Sequence, residues 1–134
     1  MKIYPVRLKP GSDLRQELEN LVKLRDIQAG LILTCVGSLK IVAVRLPNQA
    51  IKTFKGSFEI VSLVGTLCQD DVHLHISFSD DKGRVFGGHL KQGSMVNTTA
   101  EIIIGVIQNC VFKREYDKET GFDELIISGN LPEK

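Results

Sequence analysis

VHLHISFSDDKGRVFGGHL, residues 72–90, decides how this chain folds. Its first half alternates throughout: Val72, Leu74, Ile76 and Phe78 are apolar, while His73, His75, Ser77 and Ser79 are polar. Successive side chains on a strand point to opposite faces, so the two sets separate. Asp81-Lys82-Gly83 then has the chemistry of a three-residue hairpin loop, a type I turn followed by glycine in the left-handed region as a G1 bulge. That loop pairs Asp80 with Arg84, Phe78 with Phe86, His75 with His89 and Leu74 with Leu90. The apolar pairs share one face, and His73, His75 and His89 share the other. A slip of one residue would put His89 on the apolar face, so the side-chain pattern selects this register.

Outward from the hairpin, most of the chain reads as strands. Residues 2–8 alternate and contain Pro5, which lacks a backbone donor and suits an edge. Further strands are predicted at 30–36, 40–46, 50–54, 57–68, 84–90, 99–107, 110–115 and 123–128. Gly37-Ser38, Pro47-Asn48, Gly56, Gln69-Asp70-Asp71 and a turn over 117–121 punctuate them. One helix interrupts the series, over about residues 13–25. Leu14, Leu18, Leu21 and Val22 make its apolar stripe, and Ser12 or Asp13 caps it, with Asp13 and Gln16 at capping-box spacing. Gln28-Ala29-Gly30 ends that segment, and Gly93–Thr98 is a candidate for a second short helix. The pattern predicts an α+β domain, a strongly curved and mainly antiparallel sheet with one main helix. With no linker, repeat or low-complexity segment, residues 1–134 read as a single domain.

Two predicted strands, Gly30–Val36 and Glu101–Ile107, are almost wholly apolar. A half-exposed antiparallel strand should alternate, so these need cover on both faces. One helix supplies little of it, which points to a homo-oligomer.

The bulk properties exclude several classes. In 134 residues, 17 Lys and Arg are offset by 16 Asp and Glu, so the net charge is +1 and no overall basic excess points to nucleic acid. Cys35, Cys68 and Cys110 are odd in number, lie among apolar residues and form no CxxC pair, which reads as buried free thiols rather than a zinc knuckle or disulfide framework. The N-terminus lacks the apolar core of a signal peptide, and no run approaches the roughly 18 apolar residues of a membrane span. No membrane association and a cytoplasmic location are the expectations. The stretch Lys113–Glu124, rich in both charges, reads as a solvated hairpin, and Gly129–Lys134 is expected to fray or to cover a neighbouring subunit.

Directly opposed strand residues have Cβ atoms about 5 Å apart, and i, i+2 neighbours about 7 Å. Imidazoles at His73, His75 and His89 thus have the reach to bind one ion, zinc or another divalent transition metal, with a fourth position left open. Gly87, on the same face, would leave the neighbouring space clear, and Gly88 permits backbone approach from the other side. The alternatives are a metal-free polar cluster, a small-ligand pocket, or a solvated face. An enzyme built on such a site needs a general base. Glu101 and Glu59, each inside an apolar strand, are the catalytic candidates, and an ion pair with an arginine is their plainer explanation. No Ser-His-Asp, P-loop or Rossmann pattern is present.

The sequence resembles the PPC domain, "plants and prokaryotes conserved", from about Tyr4 to Ile127. The likeness lies in Arg7-Leu8 followed by Pro10-Gly11 and Asp13-Leu14, in Gly37-Ser38-Leu39, in GSFEIVSLVGT from Gly56 to Thr66, in HLH followed by GRVFGGHL, and in TTAEIIIG from Thr98 to Gly105. Membership implies an α+β fold around a curved antiparallel sheet, and a homotrimer. In plants the domain follows AT-hooks in nuclear DNA-binding regulators, and the stretch matching Gly56–Val61 serves partner recognition. This chain resembles the stand-alone prokaryotic type instead. It has no Arg-Gly-Arg-Pro core of an AT-hook, carries Ser57 where the plant motif has arginine, and keeps the three histidines. Two functions follow as expectations. One is a regulatory trimer that binds DNA or protein and holds zinc. The other is a metal-dependent hydrolase or lyase acting on a small molecule at the same histidines.

Overall fold

The structure, a computed structural model, describes residues 1–129; the expectation for residues 130–134 lies outside the described residues. The elements run β1 (Lys2–Leu8), α1 (Leu14–Leu24), β2 (Gly30–Arg45), β3 (Ile51–Leu67), β4 (Val72–Ser79), β5 (Val85–Leu90), β6 (Met95–Val106), β7 (Cys110–Tyr116) and β8 (Asp123–Gly129). The six strands β1–β6 form one sheet in the order β1-β6-β2-β3-β4-β5, with every neighbouring pair antiparallel. β2 also pairs with β5, Val44 opposite Leu90 and Arg45 opposite His89, so β2, β3, β4 and β5 close into a ring. The curved antiparallel sheet with one helix is therefore present, and its curvature goes as far as closure.

Two long strands make the ring possible. Residues 30–36 and 40–46 are one strand, β2, and 50–54 and 57–68 merge into β3. The glycines read as breaks are bends inside them. Gly37 has φ +152°, and a Cβ there would stand 2.1 Å from the Thr99 carbonyl oxygen, so only glycine lets β2 approach β6 this closely. Register shifts between Leu39 and Ile41 and between Ile60 and Ser62 add local bends.

The ring encloses an aromatic cluster. The Phe78 ring centroid is 5.2 Å from those of Phe54 and Phe58, edge-on to both, and Phe54 is 5.2 Å from Phe86. These rings continue into a core with Leu14, Leu18 and Val22 of α1, which packs on β4 and β6. Asp13 caps the helix as read: its carboxylate accepts from Gln16 N at 3.1 Å and also from Gly93 N at 2.7 Å.

The second short helix does not form. Met95–Thr98 belong to β6, with Val96 opposite Leu39 and Met95 opposite Ile41. The incoming loop also claims this backbone: Leu14 N donates to Ser94 O, and Val96 N to Ser12 O. Backbone groups committed to two extended neighbours have none left for a helical turn. β7 and β8 form a separate hairpin, fastened to the main sheet by a small core of Ala29, Cys68, Cys110 and Phe112. All three cysteines are free and buried, and burial pushes the Cys35 thiol up to about 11. No helix among the described residues is long and apolar enough to cross a membrane.

Phe78 is fully buried at the centre of the aromatic cluster. Phe78→Ala is predicted to cost about 3–5 kcal/mol, read from the urea denaturation midpoint. A loss under about 1 kcal/mol, in the range of surface substitutions, contradicts a packed ring interior.

Candidate metal centre

The site begins at the β4–β5 turn. Asp80 N donates to Arg84 O and Gly83 N to Asp80 O, with Gly83 at φ +77°, the glycine-bulge loop read from the sequence. The Asp80 carboxylate accepts from Lys82 N and Arg84 N at 2.9 Å each and from Arg84 Nε at 2.7 Å. Desolvation opposes its ionisation, but the bonds and charge of Arg84 and the Lys82 amide prevail and hold its pKa below the usual value. The register is the one this turn dictates, with Phe78 opposite Phe86 and His75 opposite His89. The β4–β5 ladder ends there, and Leu90 is opposite Val44 of β2 instead of Leu74.

His73, His75 and His89 meet on the outer face of the ring. One ligand atom from each lies within 4.8 Å of the other two. The His73 and His75 Nε2 atoms are 3.2 Å apart, and ring centroids are separated by 5.0–5.5 Å. Two nitrogens on one tetrahedral zinc at about 2.0–2.1 Å stand roughly 3.3 Å apart. The His73–His75 spacing thus suits a zinc-sized ion, and the third imidazole lies within reach of the same point. No Cys, Asp or Glu among the described residues joins the group as a fourth ligand.

The surroundings disfavour the protonated forms of His89 and His73. His89 is lowered to about 4, first by burial, then by the Arg45 charge and then by His73, Arg15 and His75. The Arg45 guanidinium lies 3.4 Å from His89 Nδ1. His73 is lowered by burial, Arg114 and His75, with Asp71 and Glu124 acting against the shift. Neutral imidazole is the form that ligates metal.

A cleft of about 480 Å³ opens beside the histidines, lined by His73, His89, Arg15, Arg45, Lys91, Arg114, Asp71, Asp123 and Glu124 among others. Glu59 and Glu101 are not part of it. Both are exposed, Glu59 opposite Ser38 and Ser79, and Glu101 between Arg7 and Val36. Gly87 does not clear room for a ligand: a Cβ there would meet the Ile76 carbonyl oxygen at 2.6 Å. Gly88 behaves as expected, for a Cβ there would stand 2.9 Å from the Arg45 carbonyl oxygen, so its absence lets β2 approach.

Three arginines of the site went unread in the sequence. Arg15, 6% exposed, donates to Asp71 at 2.8 Å, Glu19 at 2.9 Å and the Leu90 carbonyl at 3.0 Å. Its spacing from Leu18 and Val22, i, i+3 and i+7, put it on the buried stripe and was the available signal. Arg45 reaches His89 through the β2–β5 closure, which has no local signature. Arg114 comes from the hairpin read as merely solvated.

A model of the Plants and Prokaryotes Conserved (PCC) domain matches residues 1–108. The chain belongs to this family. It is the family abbreviated PPC above. Bifunctional protein GlmU of two Synechococcus strains is 44% and 43% identical to the PCC chain over 128 residues. The match covers 95% of this chain but 20% and 21% of theirs, so the chain spans about a fifth of the length of these curated relatives. Among solved structures, a hypothetical protein from Salmonella cholerae-suis superposes with TM-score 0.93 at 39% identity, covering 97% of this chain and 95% of that one. A PPC protein from Pyrococcus horikoshii gives 0.78 at 29%, covering 92% and 90%. Lower identities show likeness of fold alone. AF0104 of Archaeoglobus fulgidus, a metal-containing protein, gives 0.78 at 24%, covering 94% of each chain. A suspected DNA-binding protein of Bacteroides thetaiotaomicron gives 0.84 at 22%, covering 92% and 91%.

Because His89 binds its proton more weakly in the folded PCC chain than at its ordinary 6.5, the unfolded chain takes up a proton first as pH falls. The metal-free protein is therefore predicted to lose stability between pH 6.5 and about 4, and His89→Asn to lose less over the same range. Urea midpoints across that range check it; identical pH profiles for the two proteins contradict it.

Proposed function

We propose that this PCC domain is a trimeric binding and regulatory module that holds a divalent transition metal, zinc in the first instance, on His73, His75 and His89. The 3.2 Å approach of two imidazole nitrogens with a third within reach carries the reading. Zinc on three protein nitrogens keeps a position for water or a ligand and acts as a Lewis acid there. The residues around it suit that role. Burial and then Arg45 at His89, and burial and then Arg114 at His73, disfavour protonation of these two imidazoles, and the cleft gives an exogenous molecule access to the ion. The resemblance to about one fifth of GlmU supports a module that also works inside a larger chain.

The open position favours one second reading, a zinc-dependent hydrolase or lyase acting on a small molecule. The general base would then come from Asp123 or Glu124, which line the cleft, and not from Glu59 or Glu101. DNA is the less favoured partner. The +1 net charge supplies little of the phosphate attraction on which such binding depends.

The trimer rests on apolar surface. Leu33 and Val36 of β2 and Val61 and Val64 of β3 are 45–56% exposed, and a second copy is the simplest cover for them. Sedimentation is expected to give three times the 14.9 kDa chain mass, falling towards one chain in Val64→Asp. A monomeric wild type rejects the assembly.

For the metal, zinc-reconstituted wild type should retain about one ion per chain on dialysis. His75→Ala should bind it more weakly by more than the roughly 10–100-fold that loss of a second-sphere partner costs. Equal metal content by mass spectrometry in the two proteins sinks the proposal.

A further inference from the structure

The cleft beside the histidines holds more positive charge than its own carboxylates neutralise. Arg15 is the satisfied member, with Asp71, Glu19 and the Leu90 carbonyl as acceptors. Arg45, Lys91 and Arg114 are different. Among the described residues, no carboxylate lies within 4.0 Å of their side-chain nitrogens, although Asp123 and Glu124 line the same cleft and the Arg114 backbone N–H donates to Asp70 at 2.9 Å. Among the described residues, the Arg45 guanidinium has one hydrogen-bond partner, the neutral acceptor His89 Nδ1, at 3.4 Å. Arg114 gives one nitrogen to the Thr66 hydroxyl at 2.8 Å, and its Nε is buried with no acceptor. It is the one buried side-chain polar atom without a partner among the described residues. A buried donor left unpaired lowers stability, so such a group in a folded protein asks for an acceptor that is missing.

From these groups we infer that the cleft is a receptor for the carboxylate or phosphate group of a small molecule, held by Arg45, Arg114 and Lys91 beside the histidine-bound metal. The inference deepens the metal reading and rests on it for the ligand's second anchor. Guanidinium forks match the paired oxygens of a carboxylate or phosphate and hold them at a fixed angle. The volume, about 480 Å³, lies within the range of small-molecule sites. Phe122 on the cleft wall offers apolar contact to the remainder of such a molecule. Asp123 and Glu124 line the same space, and their charge opposes a polyanion such as duplex DNA.

The metal alone does not require this chemistry, so the two readings separate experimentally. Zinc-loaded protein, its metal content measured in each sample, is titrated with succinate, inorganic phosphate, neutral acetamide and a short DNA duplex. Arginine Nε–H resonances report binding. Saturable shifts at Arg114 and Arg45 with succinate or with phosphate, and none with acetamide, are expected; which anion acts identifies the source of the oxygens. Compared in samples matched for bound zinc, Arg45→Gln and Arg114→Gln should each weaken that binding at least tenfold, and Arg45→Gln serves alone if Arg114→Gln loses its dispersed amide spectrum. Zinc-loaded protein that binds neither anion, or binds only the duplex, overturns the inference and leaves the metal reading standing. Anion binding at these arginines in protein that takes up no zinc supports the receptor and overturns the metal reading.

Discussion

Everything at the site depends on the carboxylate of Asp80. It accepts three hydrogen bonds across the β4–β5 turn and so sets the register of the hairpin. The register decides the face on which every later side chain of β5 falls. With Phe78 opposite Phe86, the rings complete the interior cluster and His89 is thrown outward beside His75. Slipped by one residue, the same sequence would bury an imidazole in the core and expose phenylalanine. The apolar packing thus holds the histidine geometry in place from behind, and the two cannot be altered separately.

The second constraint is closure. β2 returns to pair with β5 at Val44 and Arg45, and this covers the His89–Leu90 end of the β5 edge. It also puts a guanidinium against His89. Arg15 works from the other side. It bonds Asp71, at the entrance to the strand carrying His73 and His75, and the Leu90 carbonyl, adjacent to His89. One buried side chain therefore ties the helix to both histidine-bearing strands, and its charge also helps keep His89 neutral.

How much of this was legible in the sequence follows from the range of each interaction. The hairpin, its register and the shared face of the histidines are consequences of residues within one turn, and they could be read directly. Asp13 as helix cap is equally local. The continuity of β2 and β3 was not legible, because Gly37 and Gly56 look like breaks when neither neighbouring strand is known. The start of β6 was missed for a related reason: Met95 and Val96 lie between Gly93 and Asn97, both poor strand formers, and their pairing with Ile41 and Leu39 of β2 is not visible in the local sequence. Arg45 and Arg114 reach the cleft through contacts more than forty residues away in sequence, to His89 and to Thr66, so no spacing rule could have found them. Glu59 and Glu101 were conspicuous as charges inside apolar strands, yet both face solvent.

The central claim is that His73, His75 and His89 converge on one ion. X-ray absorption at the zinc edge of the reconstituted protein tests it most directly. The account predicts three imidazole nitrogens and one further light atom at about 2.0–2.1 Å. Sulfur at about 2.3 Å, or a shell with fewer than three imidazoles, would contradict it.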